Sequence, residues 1–501
     1  MADGLSFRAA GRSVHKRRKR DRAQLCLPAD AETRKRAAEN TLLEIDPLAS
    51  CTLGITPGQR RLGLQTFSVA GLLAIVEPGL FAGLAGALAL SVFAMLILYR
   101  GVLIASGVLA RVLMPMADAS VQRSGRARTI WPTYTILVPV YREPNAVPGL
   151  VAALKGIDYP KRQLDIQILV EAADHETLNA LEALSLRPHF RIVPVPKGDV
   201  QTKPRALNYG LSLARGQYVA IYDAEDQMHS GQIKAAVRAF HSDASGKLAC
   251  VQAPLVPHNG AESWIARQFE QEYLLHFGLI VPGLAMLNLP VLLGGTSNHF
   301  RKDVLEKVGA WDPYNVTEDA DLGLRLSAAG YRIGAISPPT FEEAPVRRPV
   351  WIGQRSRWIK GFIQTLGVFL RRPGQMISQM GVLNWLSAVL LLGGSVLSAI
   401  FHGPMAIWLL TCALTPGLTP PAEGVVLLAS GFSLHLTGSL LSWPDMTLSR
   451  VFSALTAPVY WPLQSRSAFK AICELFKNPY FWDKTEHGVT EQTLDQKKLR
   501  S

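Results

Sequence analysis

Apolar residues are spread unevenly along these 501 residues. They crowd before residue 110 and again after residue 380, and the stretch between reads differently. A helix needs about 20 apolar residues to cross the hydrocarbon core of a bilayer. Before residue 110, segments 62–75 and 79–98 are apolar, separated by Glu77-Pro78 as a hairpin turn and closed by Tyr99-Arg100. They predict two spans. After residue 380, segments 381–401, 405–414 and 424–443 are apolar and a shorter one follows at 451–463, which predicts three or four more.

Between these blocks the period shifts. TYTILVPVY (133–141), LDIQILVEA (164–172), FRIVPVP (190–196) and GQYVAIYDAED (216–226) are β-branched runs bounded by turn residues. Helical stretches lie among them at 144–157 and 176–184. Strands alternating with helices predict an α/β domain with a mainly parallel sheet. Ligands of such sheets bind at the carboxyl ends of the strands. The chain therefore divides into a basic, largely disordered segment 1–60 with a short helix near 31–44, membrane helices 61–110, an α/β domain 130–370, membrane helices 371–465 and a tail 466–501.

Charge and cysteine content refine this division. The net charge is +13, and much of it lies in GRSVHKRRKRDR (11–22) and Arg34-Lys35-Arg36. Beside apolar segments, such a run reads as the cytosolic flank of a membrane span facing anionic lipid rather than as a nucleic-acid arm. The five cysteines show no C-x-x-C spacing, so neither a zinc site nor a disulfide framework is signalled.

Three motifs could carry chemistry. YDAED (222–226) ends a strand in carboxylates, a pattern that suits Mg²⁺ or Mn²⁺ and equally a solvated acidic loop. VTEDADL (316–322) places Glu318, Asp319 and Asp321 where helix capping alone would favour acids. QRSRWIKG (354–361) puts Gln354 on one helix face with Arg357 and Trp358, which could clamp a pyrophosphate and stack a sugar or could form an interfacial belt.

In this order, with TKPRALNYGL (202–211) and the membrane framing, the motifs resemble the processive family 2 glycosyltransferases, the group of cellulose, chitin and hyaluronan synthases. The wording of YDAED, PTFEEAP, QRSRWIKG and FWDKTEHG (481–488) is most similar to bacterial exopolysaccharide glycosyltransferases. The resemblance implies a GT-A fold and an inverting hexosyltransferase of the bacterial inner membrane with a cytosolic catalytic domain. It implies Asp319 as general base beside Glu318, and Asp223 and Glu225 as ligands of Mg²⁺ or Mn²⁺, with Asp226 as the alternative second ligand. Tyr141 and Glu143 match positions near the nucleotide base. Glu171 stands where the family has Asp, with Asp174 as its companion. Lys203 matches a lysine near the donor, Gln354 and Arg357 would hold the pyrophosphate, and Trp358 would floor the acceptor site. Lys484, Thr485 and His487 would gate the donor site or lie in a surface tail.

The implied partners are a nucleotide-sugar donor such as UDP-glucose, a glycan acceptor, the lipid bilayer and accessory polysaccharide-export subunits, with no nucleic acid. The expected reaction extends a β-linked exopolysaccharide. The alternative adds one sugar to a lipid carrier, and a silent membrane receptor or scaffold ranks last because the acidic set is complete.

Overall fold

The computed structural model describes residues 31–124 and 130–480. The basic run 11–22 and FWDKTEHG lie outside them. A seven-stranded sheet forms the centre: β1 (Tyr134–Val140), β2 (Leu164–Glu171), β3 (Phe190–Val195), β4 (Tyr218–Ile221), β6 (Leu248–Gln252), β8 (Asn298–Arg301) and β9 (Arg332–Ala335), in the order β3-β2-β1-β4-β8-β6-β9. β8 runs antiparallel to both neighbours, and the other pairs are parallel. The fold is α/β. A second sheet orders β5 (Gln227–Met228), β10 (Thr340–Glu342) and β7 (Leu255–Pro257).

Side chains alternate across a strand, so β1 feeds two cores. Ile136 and Val138 pack with Ile166, Ile168 and Val237 on one face. Leu137 points the other way, into a cluster with Leu169, Ile221, Trp311 and Leu322. That second cluster also contains Leu103 and Ile104 of the long apolar helix Pro78–Ser124, so the sheet domain and this helix share one core. Two glycines permit the contact. A Cβ on Gly107 would sit 2.1 Å from Leu279 O, and one on Gly283 would sit 2.4 Å from Leu103 O. Only residues without side chains let backbones approach this closely.

The apolar segments resolve differently from the expected pattern. Pro57–Val76 is a helix, opened by a Thr56/Gln59 capping box. Its Arg60, Arg61 and Gln65 dilute its apolar character, and it is not among the helices apolar enough to cross a membrane. Three helices of the described residues are: Pro78–Leu113, Val382–Leu414 and Ala422–Ser442. The first does not stop at Tyr99-Arg100, because GVLIASGVLARVL (101–113) contains no helix breaker other than its glycines. Segments 381–401 and 405–414 are one helix with Pro404 inside it. Residues 451–463 are the helix Leu448–Tyr460 and the start of Pro462–Lys477.

The helix expected near 31–44 spans Ala31–Ile45 and docks on the sheet domain through Glu39, which binds Arg205 at 2.8 Å.

Candidate active site

The parallel strands end on the side that faces the apolar helices. β1 runs into Tyr141-Arg142-Glu143, β2 ends on Glu171, and β4 leads through Tyr222 into Asp223. Arg142 adopts a left-handed backbone conformation (φ 53°), and its N–H donates to Asp174 at 2.5 Å. Asp174 also caps the helix His175–Glu182. It is therefore occupied in shaping the turn beneath Tyr141 and Glu143. Glu171 accepts from Arg205 at 3.1 Å, which commits much of its carboxylate to an ion pair.

The acidic loop after β4 splits into two roles. Asp226 is buried under the loop, where it accepts from the Asp223 N–H at 2.8 Å and from the Thr296 hydroxyl. Asp223 and Glu225 line the cavity above it. This separates the two candidates for the second ligand: Glu225 faces the open space and Asp226 holds the backbone. Asp223 pairs with Lys203, whose ammonium also donates to Gly295 O at 2.7 Å. Burial works against the Lys203 charge, but Asp223, Glu318 and Asp319 outweigh it and raise its pKa.

Sequence reasoning missed Glu342, which ends β10 and lines the same cavity. Burial pushes its carboxyl well up, and Asp226, Glu225 and Asp223 add to the effect. PTFEEAP was its only signal. The small sheet that carries it joins residues far apart in sequence and has no periodicity to read. Asp223, Glu225 and Glu342 supply the hard oxygen donors that Mg²⁺ or Mn²⁺ prefers, so their chemistry fits such an ion. Among the described residues no three potential ligands converge tightly enough to form a finished metal site.

Glu318 and Asp319 open the helix Glu318–Ala328. Asp319 Oδ1 accepts from the Ala320 N–H at 2.8 Å. Burial raises the Asp319 carboxyl, opposed by that hydrogen bond and by Lys203 and Arg357. Glu318 is 3% exposed, and burial together with Asp319 pushes it up to about 8. Burial and the neighbouring Asp319 thus favour the protonated form of Glu318.

Arg357 reaches this pair from the helix Arg348–Phe369. Gly361 allows the approach, since a Cβ there would lie 2.4 Å from Thr317 Cγ2 and Oγ1. Gln354 is 8% exposed, and its Oε1 is buried without a hydrogen-bond partner among the described residues. Trp358 lies against Tyr273 and Phe269, with the Arg355 guanidinium 4.5 Å from its ring centroid. The rest of the indole faces the cavity.

One cavity of about 1270 Å³ joins these groups. Tyr141, Glu143, Glu171 and Lys203 line it, as do Asp223, Glu225, Glu318 and Asp319, with Gln354, Arg357 and Trp358 on the far wall. It continues between the apolar helices along Leu88, Phe93, Leu96, Leu397 and Leu428.

Two adjacent carboxyls, both raised by burial, predict a two-limbed pH profile. Activity should fall as pH drops through the Asp319 pKa, which lies above that of an ordinary aspartate. It should fall again as pH rises past about 8, where Glu318 ionises and adds a second negative charge beside Asp319. Glu318→Gln should keep the acid limb and lose the alkaline one in a kcat/KM-versus-pH measurement. An unchanged alkaline limb would contradict this assignment.

The fold and site define an α/β catalytic domain docked on apolar helices, with acids and cations gathered at the strand ends. Residues 218–463 match the family described as "Glycosyl transferase family group 2". The chain carries a family 2 glycosyltransferase domain. It is 24% identical over 233 residues to a probable glycosyltransferase of Bacillus subtilis, covering 46% of this chain and 55% of that one. It is 24% identical over 248 residues to a beta-monoglucosyldiacylglycerol synthase of Synechocystis, covering 48% and 50%. It is 26% identical over 246 residues to cellulose synthase 1 catalytic subunit of Komagataeibacter xylinus, covering 48% and 32%. The chain thus spans about half the length or less of these curated relatives.

Proposed function

We propose that this protein transfers a sugar from a nucleotide-sugar donor, UDP-glucose or a similar hexose donor, to an acceptor that enters from the membrane side. The observation that carries this reading is the single cavity running from Asp319 to the space between the apolar helices. The acceptor hydroxyl attacks the anomeric carbon, its proton passes to Asp319, and the bond from that carbon to the nucleoside diphosphate breaks with inversion. Lys203 and Arg357 face the leaving phosphates, and Gln354 supplies an acceptor for a sugar hydroxyl. Asp223 and Glu225, with Glu342 near them, would hold Mg²⁺ or Mn²⁺, which stabilises charge on the leaving diphosphate. The domain is of the GT-A kind, and three candidate spans are in keeping with a membrane protein; we place it as a multi-pass protein of the bacterial inner membrane with its sheet in the cytosol.

The aliphatic walls at the membrane end favour a lipid-borne acceptor, the second of the two readings of the sequence. The relative named for monoglucosyldiacylglycerol synthesis is in keeping with this. A growing β-linked exopolysaccharide, with export subunits as partners, is supported by Trp358 at the cavity wall and by the cellulose synthase relative.

Radiolabelled nucleotide sugars supplied to vesicles containing the full chain separate the two. We expect label from one donor, in the presence of Mg²⁺ or Mn²⁺, to partition into chloroform–methanol as a lipid product. Label found only in water-soluble polymer would contradict the lipid acceptor, and no label in either phase would contradict sugar transfer.

A further inference from the structure

One charge lies where the transfer reaction does not use it. Arg100 sits inside the candidate span Pro78–Leu113 and lines the cavity. It follows the apolar run 79–98 and precedes Leu103 and Ile104, which pack against the sheet domain, so it stands where the apolar helices meet that domain. Among the described residues Arg100 forms no hydrogen bond or ion pair, and the opposite charge it feels is Glu272. That carboxylate is already engaged by Arg355, by Tyr460 at 3.1 Å and by Gln464 at 3.2 Å. Glu272 thus faces two guanidiniums, Arg355 and Arg100.

Three imidazoles line the same cavity. His276, His402 and His435 all lie within electrostatic reach of Arg100, and all line the cavity. Two of them stand at irregular helix turns. His276 opens the π-helical turn His276–Ile280, an irregularity common at functional sites. His402 precedes Pro404, which cannot donate to Ile400 O. Ser465 takes over that carbonyl at 3.1 Å, bonds Ala399 O at 2.6 Å and accepts from the Gly403 N–H, so the opened turn is stabilised. The His402 ring stacks on Trp461, and its Nδ1 is buried with no hydrogen-bond partner among the described residues. His435 packs edge-on against the same Trp461 and bonds Gln271 at 2.8 Å.

A guanidinium and imidazoles lining one cavity match the charge and hydrogen-bonding demand of a phosphate. Aliphatic walls lie on its membrane side and Asp319 lies at the opposite end of the same cavity. We propose that Arg100, with His276, His402 and His435, binds the phosphate or diphosphate head group of a lipid. The tail of that lipid lies between the apolar helices, and the sugar beyond its phosphate presents a hydroxyl to Asp319. This rests on the reading that the acceptor enters from the membrane side and names the chemistry that would recognise it.

The test compares binding of farnesyl phosphate, farnesol and inorganic phosphate to the full chain in detergent micelles. Farnesyl phosphate should bind about tenfold or more tightly than farnesol, and far more tightly than inorganic phosphate. Arg100→Gln should erase the preference for farnesyl phosphate over farnesol while leaving farnesol binding unchanged, and His402→Gln should reduce it. Equal affinity of the unaltered protein for the two farnesyl compounds, a comparison that needs no variant, would overturn the head-group site and leave the membrane-side acceptor standing. So would a preference that survives intact in a folded Arg100→Gln protein. Binding of neither farnesyl compound would remove the membrane-side acceptor as well. Inorganic phosphate binding as tightly as farnesyl phosphate would overturn the lipid part.

Discussion

Asp319→Asn lowers the rate of sugar transfer by about three orders of magnitude, within the range of a lost general base. That corresponds to roughly 4 kcal/mol of barrier. The substitution keeps the size of the side chain and an oxygen able to accept the Ala320 N–H, so the helix start at Glu318 has no cause to change. It removes the group able to take the acceptor proton. It also removes the charge that Lys203 and Arg357 face. Donor binding should therefore hold or tighten slightly while kcat falls. Single-turnover transfer and nucleotide binding, measured on the same preparation, separate these effects. Wild-type turnover in the variant would remove Asp319 from the reaction.

Much of the sheet was legible because its strands are long and β-branched. The runs at 133–141, 164–172 and 190–196 became β1, β2 and β3 with boundaries shifted by a residue at most. GQYVAIYDAED gave a shorter strand than expected, since β4 stops at Ile221 and the acids belong to the loop. β6, β8 and β9 are LACVQ, NHFR and RIGA, too short and too mixed to announce themselves. The antiparallel course of β8 had no local signal at all.

The site was legible to the extent that its residues sit in runs. Asp223, Glu225, Glu318, Asp319, Gln354, Arg357 and Trp358 come from three segments, and the cavity brings them together. Glu342 and Arg100 were hidden for opposite reasons. Glu342 stands on a three-residue strand whose partners are remote in sequence. Arg100 looked like the charged end of a span, and only the continuation of its helix onto the sheet domain places it at the wall of the cavity.

The central claim, that the acceptor reaches Asp319 along the membrane-side cavity, is tested most directly by closing that route. Ser398 lines the cavity one helical turn before His402, on the same helix face. It is partly exposed to the open space, so an indole there projects into the cavity rather than into packed side chains. Ser398→Trp should cut transfer to the membrane acceptor by about tenfold or more, because a misplaced acceptor loses its near-attack geometry. Affinity for the nucleotide donor, bound at the strand ends, should stay within about twofold, well under the 1.4 kcal/mol of a tenfold change. Transfer at the wild-type rate by a folded Ser398→Trp protein would contradict the account.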